Sequence, residues 1–252
     1  MLKTRLIPTL QLKNWGLVKS KRFSEWRPIG PAVVAGKVYT ARRVDELIAL
    51  DIDAPRQRRA PNVALLRDLA DVCLMPFTAG GGVRSNDDVR ALLANGADKI
   101  ALNSALVTSP DVVEACSQEF GVQCVVASID ARRIDGGGHE VLIEAGTRRV
   151  ASDVVGYARR AEALGAGEIL LTSIDEDGMM QGYDLALLSS VAEAVDIPVI
   201  ACGGAGEPQH FVDAVLRGGA AAVSAASIFH FTQHTPDDVK RHMREAGLDV
   251  RL

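Results

Sequence analysis

Aromatic side chains are scarce in this sequence: six Phe, three Tyr and two Trp make up 4% of its 252 residues, although hydrophobic residues as a whole reach 48%. An interior of that size, almost without rings, has to be filled by Val, Ile, Leu and Ala, as parallel sheets covered by helices require. Cysteine is sparse too. Cys73, Cys116, Cys124 and Cys202 show no CxxC spacing and lie in apolar or helical stretches. That disfavours zinc sites and disulfides and leaves buried, reduced thiols in a cytoplasmic protein. No metal and no cofactor is expected. No run approaches the roughly eighteen apolar residues of a membrane span, and the apolar stretch in residues 1–8 is too short for a signal peptide. Excess positive charge is also lacking. The net charge of −4 leaves no basic footprint, so neither nucleic acid nor a membrane is expected as partner, and small molecules or other proteins remain.

What is present is alternation. Short β-branched runs at residues 5–11, 46–52, 75–79, 99–103, 124–130, 168–173, 198–202 and 221–225 are separated by longer segments of helical period, the pattern of βαβ units around a parallel sheet. Eight such units in a chain of this length define one domain, residues 1–252, an α/β (βα)8 barrel of the TIM type. Helix punctuation agrees. Ser109-Pro110 and Thr235-Pro236 read as N-caps with proline in the first turn, Gly96, Gly121 and Gly247 as terminators, and Val89, Leu92 and Leu93 as a core-facing stripe. An internal repeat runs at a period of roughly 120 residues. Leu50-Asp51-Ile52-Asp53 echoes Thr172-Ser173-Ile174-Asp175, Thr78-Ala79-Gly80-Gly81 echoes Ala201-Cys202-Gly203-Gly204, and Gly96-Ala97-Asp98-Lys99-Ile100 echoes Gly219-Ala220-Ala221-Ala222-Val223. The barrel is therefore read as two half-barrel repeats. Strand one then corresponds to strand five, with Gln11 opposite Asp130.

The chemistry is expected at the C-terminal ends of the strands, where barrels of this kind carry their sites. Gly80-Gly81-Gly82 follows the third strand and Gly203-Gly204 the seventh, each leading into a helix whose free N–H groups suit a phosphate. Asn103-Ser104 and Ala226-Ser227 follow the neighbouring strands. A single Gly pair would be an ordinary tight turn; its duplication points to two phosphate sites and a ligand charged at both ends. Asp130, closing the fifth strand, is the candidate proton-transfer group. Asp51, Thr172, Asp175, Asp177 and Gly178 end strands two and six. Asp51, Thr172, Asp177 and Gly178 are candidates to bind the substrate, although Asp51 and Asp175 read more simply as turn or cap residues and Asp177-Gly178 reads equally as a plain turn. Residues 13–31 hold Trp15, Trp26 and five cations, Lys13, Lys19, Lys21, Arg22 and Arg27, in a stretch long enough to be a lid over the site. Lys19 there is equally read as an anion ligand or as a solvated cation, and Arg56, Arg58 and Arg59 as a solvated loop. At the opposite mouth Arg5, Glu46, Lys99 and Glu168 begin four strands, and spacing alone makes them a structural ring.

Taken together, Phe77-Thr78-Ala79-Gly80-Gly81-Gly82-Val83-Arg84-Ser85, Gly96-Ala97-Asp98-Lys99, residues 165–175, Phe229-His230-Phe231 and Val250-Arg251-Leu252 resemble the cyclase subunit of imidazole glycerol phosphate synthase over essentially the whole chain. The resemblance implies a partner glutaminase docked at the strand N-termini and ammonia passing through the barrel. It implies that Arg5, Glu46, Lys99 and Glu168 gate that passage and that Asp98 takes part in signalling to the partner. It also implies two catalytic aspartates, on strands one and five. Here the second is Asp130, but the first is Gln11, an amide that can orient a ligand yet cannot act as acid or base at neutral pH. Further departures are Thr9 for the usual cysteine, Asn14-Trp15-Gly16 for the usual Asp-Gly-Arg, and Met179 for the usual threonine. The stretch Gly16-Leu17-Val18-Lys19 resembles a second-copy branch associated with surface-polysaccharide gene sets.

Three readings follow from the residues and the resemblance. The first is a cyclase of this type, drawing ammonia from a glutaminase and acting on a phosphorylated substrate of histidine biosynthesis or one like it. The second is an ammonia-supplying subunit for amidination of an acetamido sugar. The third is a non-catalytic conduit. The sister isomerase of histidine biosynthesis ranks below these, because the charged ring and Phe229-His230-Phe231 favour the cyclase.

Overall fold

The computed structural model describes residues 3–14 and 16–252, so Met1, Leu2 and the loop residue Trp15 lie outside the described residues. In chain order the strands are β1 (Arg5–Lys13), β2 (Gly16–Lys21), β3 (Ser24–Pro31), β4 (Leu47–Asp51), β5 (Phe77–Gly80), β6 (Lys99–Leu102), β7 (Val125–Arg133), β8 (His139–Ile143), β9 (Arg148–Ala151), β10 (Glu168–Ser173), β11 (Val199–Cys202) and β12 (Ala222–Ala225). Eight of them, β1, β4, β5, β6, β7, β10, β11 and β12, pair in parallel with their neighbours and close a barrel. Each coincides with one of the runs read from the sequence. Helices fill the spaces between successive barrel strands, and the expected punctuation is in place. Ser85 and Thr235 each close a capping box, with Asp88 and Asp238. Pro110 opens the helix Pro110–Phe120, and Gly96, Gly121 and Gly247 sit at φ 96°, 90° and 88°, where L side chains are strained.

The other four strands were not expected. Residues 13–31 are an antiparallel ribbon, β2 on β1 and β3 on β2, and a second ribbon of β8 and β9 extends from β7. Each half-barrel thus carries one ribbon after its first strand. The repeat is also written into the register. Gln11 pairs with Leu50 and Thr9 with Ile48 between β1 and β4; Asp130 pairs with Thr172 and Ser128 with Leu170 between β7 and β10. Gln11 and Asp130 therefore occupy equivalent positions in the two halves.

Strand alternation divides each barrel strand between two tasks. On β1, Leu6, Leu10 and Leu12 belong to the large core between sheet and helices. The intervening residues make an inward ladder: Arg5 at the N-terminal mouth, Ile7 in the middle, then Thr9 and Gln11. The ladders of other strands repeat the sequence, with Glu46 and Ile48, Lys99 and Ala101, Glu168 and Leu170 in the first two levels. Ile7, Ile48, Ala101, Val126, Leu170, Ile200 and Ala222 form a separate buried apolar cluster, a girdle between a charged mouth and a polar one. Among the described residues no helix is long and apolar enough to cross a membrane.

Candidate active site

At the C-terminal mouth Asp130 and Gln11 line one cavity of about 80 Å³, together with Thr9, Phe23, Trp26, Asp51, Gly81, Asn103, Thr172 and Cys202. Asp130 is 8% exposed and accepts a hydrogen bond from Asn103 Nδ2 at 3.2 Å. Burial, and then the negative charge of Asp177, push its carboxyl up to about 7 against an opposing hydrogen bond from Thr172. A carboxyl removed from water and facing a second carboxylate resists ionisation. Poised near neutrality, it is able both to take and to return a proton.

Gln11 is held by groups on the first ribbon. Its Oε1 accepts from Lys19 Nζ at 3.4 Å and from Ser20 Oγ at 3.3 Å. Both donors also bond Asp177, Lys19 at 2.7 Å to Oδ1 and Ser20 at 2.7 Å to Oδ2. Lys19 is thus neither on a mobile loop nor solvated. The ribbon buries four consecutive residues, Leu17 to Ser20, and its register is irregular between Lys19 and Lys21, so adjacent side chains reach the same partners. Asp177 is likewise more than a turn residue: it is buried, anchors the ribbon and is the carboxylate that acts on Asp130. Gly178 follows it at φ 74° against the backbone of Ser20.

The two glycine turns form two hollows on either side of this centre. Gly81, Gly82, Asn103 and Ser104 line the first, of about 320 Å³, with Arg58, Arg84 and Glu144. Gly203, Gly204, Ala226 and Ser227 line the second, of about 20 Å³, with Lys19, Asp177 and Gly178. Gly81 at φ 98° and Gly204 at φ 117° cannot be other residues, because a Cβ would meet the carbonyl oxygens of Asp51 and Gly182. Ser227 Oγ is buried without a hydrogen-bond partner among the described residues. A buried hydroxyl is rarely left so, and this one is open to a ligand in the hollow.

Asp51 behaves as the simpler reading holds: Oδ1 accepts from Ala54 N at 3.1 Å and Oδ2 from Asn62 N at 3.1 Å. It does more as well. Arg59 meets it with two nitrogens, at 2.6 Å and 2.9 Å, so the arginine group is not simply a solvated loop. Arg56 donates to the carbonyls of Phe23 and Ala145 and lies 5.2 Å from the Trp26 ring, tying both ribbons together over the cavity. Sequence reasoning missed this because Arg56 gains its partners only when the ribbons fold. Asp175 accepts from Arg133 N and is peripheral. The thiols need a correction too: only Cys116 is fully buried, while Cys73, Cys124 and Cys202 are half-buried and Cys202 lines the cavity.

At the other mouth each cation bridges both carboxylates. Arg5 meets Glu46 and Glu168 at 2.6 Å, and Lys99 meets Glu46 at 3.2 Å and Glu168 at 2.8 Å. This closed ring borders a depression of about 530 Å³. Asp98 is exposed beside it, with Oδ2 accepting from Phe77 N.

This closed parallel barrel, with a glycine-lined hollow on either side of a buried carboxyl at the C-terminal mouth, is the arrangement of small-molecule enzymes built on this fold. The sequence over residues 5–235 matches the model of the family described as histidine biosynthesis protein, and the chain belongs to that family. Its members are isomerases and cyclases of histidine biosynthesis.

Proposed function

We propose that this chain is the cyclase-type member of the family, a lyase that takes ammonia from a partner glutaminase and acts on a substrate bearing a phosphate at each end. The observation that carries the reading is Asp130, held near neutrality between two anion hollows. The substrate's ends are anchored in the hollows and its reacting centre lies against the carboxyl. Positioning of that kind supplies much of a barrier reduction by itself, and Asp130 serves in turn as base and acid.

The opposite mouth supports the partner. Leu74 precedes β5 and Val122 opens the short 3-10 helix before β7, on the N-terminal side of the barrel, and they are 89% and 52% exposed. Both lie at the end of the barrel that carries the depression, where a docking partner would cover them. From there the girdle admits a small neutral molecule and excludes an ion.

A second reading rests on Gln11. Its carbonyl is engaged by Lys19 and Ser20, so strand one supplies a ligand where the resemblance implies an acid or base. Loss of one proton-transfer group costs about 10²–10⁴ in rate, which favours an acceptor needing a single carboxyl, such as an acetamido sugar undergoing amidination, or a conduit. The test is turnover of the family's phosphorylated formimino-AICAR-ribonucleotide substrate with ammonium at basic pH. Turnover lost in Asp130→Asn establishes the cyclase; none with folded protein, alongside glutaminase activation on mixing, establishes the second reading.

A further inference from the structure

The two hollows descend from one repeated unit, yet the first is the larger, about 320 Å³ against about 20 Å³. They differ also in what their covering ribbon contributes. The first ribbon lays Lys19 on the second hollow, with two of its three N–H donors on Asp177 and Gln11. The second ribbon lays Glu144, an acid, on the first hollow.

Glu144 is built into that place. Its N–H donates to Ser104 Oγ at 3.3 Å, a hydroxyl of the hollow itself. It opens a turn in which Glu144, Ala145 and Gly146 stand at φ 56°, 56° and 80°. Two consecutive non-glycine residues in the left-handed region are uncommon and persist where surroundings hold them. Phe23 packs against Gly146, where a Cβ would come within 2.9 Å of its ring, and Arg56 bonds the Ala145 carbonyl. Oε1 is paired with Arg148 at 2.9 Å, and the side chain remains 38% exposed.

We infer that Glu144 determines which end of the substrate enters the first hollow: an end whose phosphate is accompanied by hydroxyl or amide donors, as on a phosphorylated sugar. The phosphate lies on Gly81, Gly82 and Ser104 with Arg58 and Arg84 near. The carboxylate accepts from a neighbouring hydroxyl, which a bare phosphate lacks. The smaller second hollow takes a phosphate on a slim stem. A pseudo-symmetric barrel is thereby given a fixed reading direction. The inference rests on the two-hollow reading of the proposed function.

The experiment measures amide NMR titrations of the whole protein with inorganic phosphate, n-propyl phosphate and ribose 5-phosphate, using Ser104 and Ser227 as reporters of the two hollows. It is repeated for Glu144→Gln and Glu144→Ala. A hydrogen bond to a partly exposed carboxylate corresponds to about tenfold in affinity. The expected result is that ribose 5-phosphate shifts Ser104 with about tenfold preference over n-propyl phosphate, and that both variants bring the two ligands level at Ser104 with Ser227 unaltered. An unchanged preference, or none in the unsubstituted protein, overturns the role of Glu144 while leaving the hollows in place. No response of either serine to any phosphate overturns the two-hollow reading, and the inference with it.

Discussion

A single carboxyl carries the proton chemistry proposed here, and its protonation links activity to stability. Asp130 keeps its proton up to about pH 7 in the folded chain, whereas in an unfolded chain it loses it near the ordinary aspartate value of about 3.9. Its contribution to stability therefore declines as pH rises from about 4 to about 7 and stays low above that. His230 acts oppositely: burial, then the charge of Lys19, push it down to about 4, so its contribution is present above about 6.5 and fades as pH falls towards 4. Comparing Asp130→Asn with the parent isolates the first effect. The variant should melt several degrees higher at pH 8 and gain little at pH 4, while losing about 10²–10⁴ in turnover. The ascending limb of the parent's pH–rate profile is expected near 7. Gln11→Asp restores an acid at the equivalent position of the other half and should raise cyclase turnover, read directly with ammonium. An unchanged zero rate would mean the pocket has been rebuilt more widely.

The ribbons were the least legible elements. Barrel strands announce themselves because β-branched runs end at glycine turns, and all eight were legible. β3 gives no such signal, since it reads Ser24-Glu25-Trp26-Arg27-Pro28-Ile29-Gly30-Pro31 and is largely exposed. Prolines and missing alternation there conceal a strand that pairs only with β2, an edge position where proline is tolerated. The second ribbon was passed over despite the apolar run Val141-Leu142-Ile143. The burial of Lys19 and Asp177 follows from the first ribbon's fold and so escaped notice with it. The twin hollows and Asp130 were legible because they lie at strand ends, where the fold itself fixes location. At this scale Lys19→Met should leave Asp177 buried beside Ser20 alone and cost about 3–5 kcal/mol, measured by denaturant unfolding. Adding Asp177→Asn should recover most of the loss. Asp177→Asn alone should move the pH–rate limb downwards, because the charge opposing ionisation of Asp130 is gone.

Across the whole molecule, the proposed function gives each mouth a different task. Glu168→Gln weakens the ring at the mouth assigned to ammonia and leaves the far site untouched. Glutamine-driven turnover with a partner glutaminase should fall several-fold, with ammonium-driven turnover close to that of the parent. Equal losses in both assays would place the ring outside the ammonia route. The girdle of Ile7, Ile48, Ala101, Val126, Leu170, Ile200 and Ala222 has a consequence for the acid–base balance of the barrel. Seven of the eight strands place hydrocarbon at this level and β5 places the buried Thr78; one hydroxyl among hydrocarbon is no relay for ions or protons, so the layer insulates one mouth from the other. A partner docked over the charged ring can seal that face from solvent without altering the supply of protons to Asp130, which exchanges only through its own mouth beneath the two ribbons.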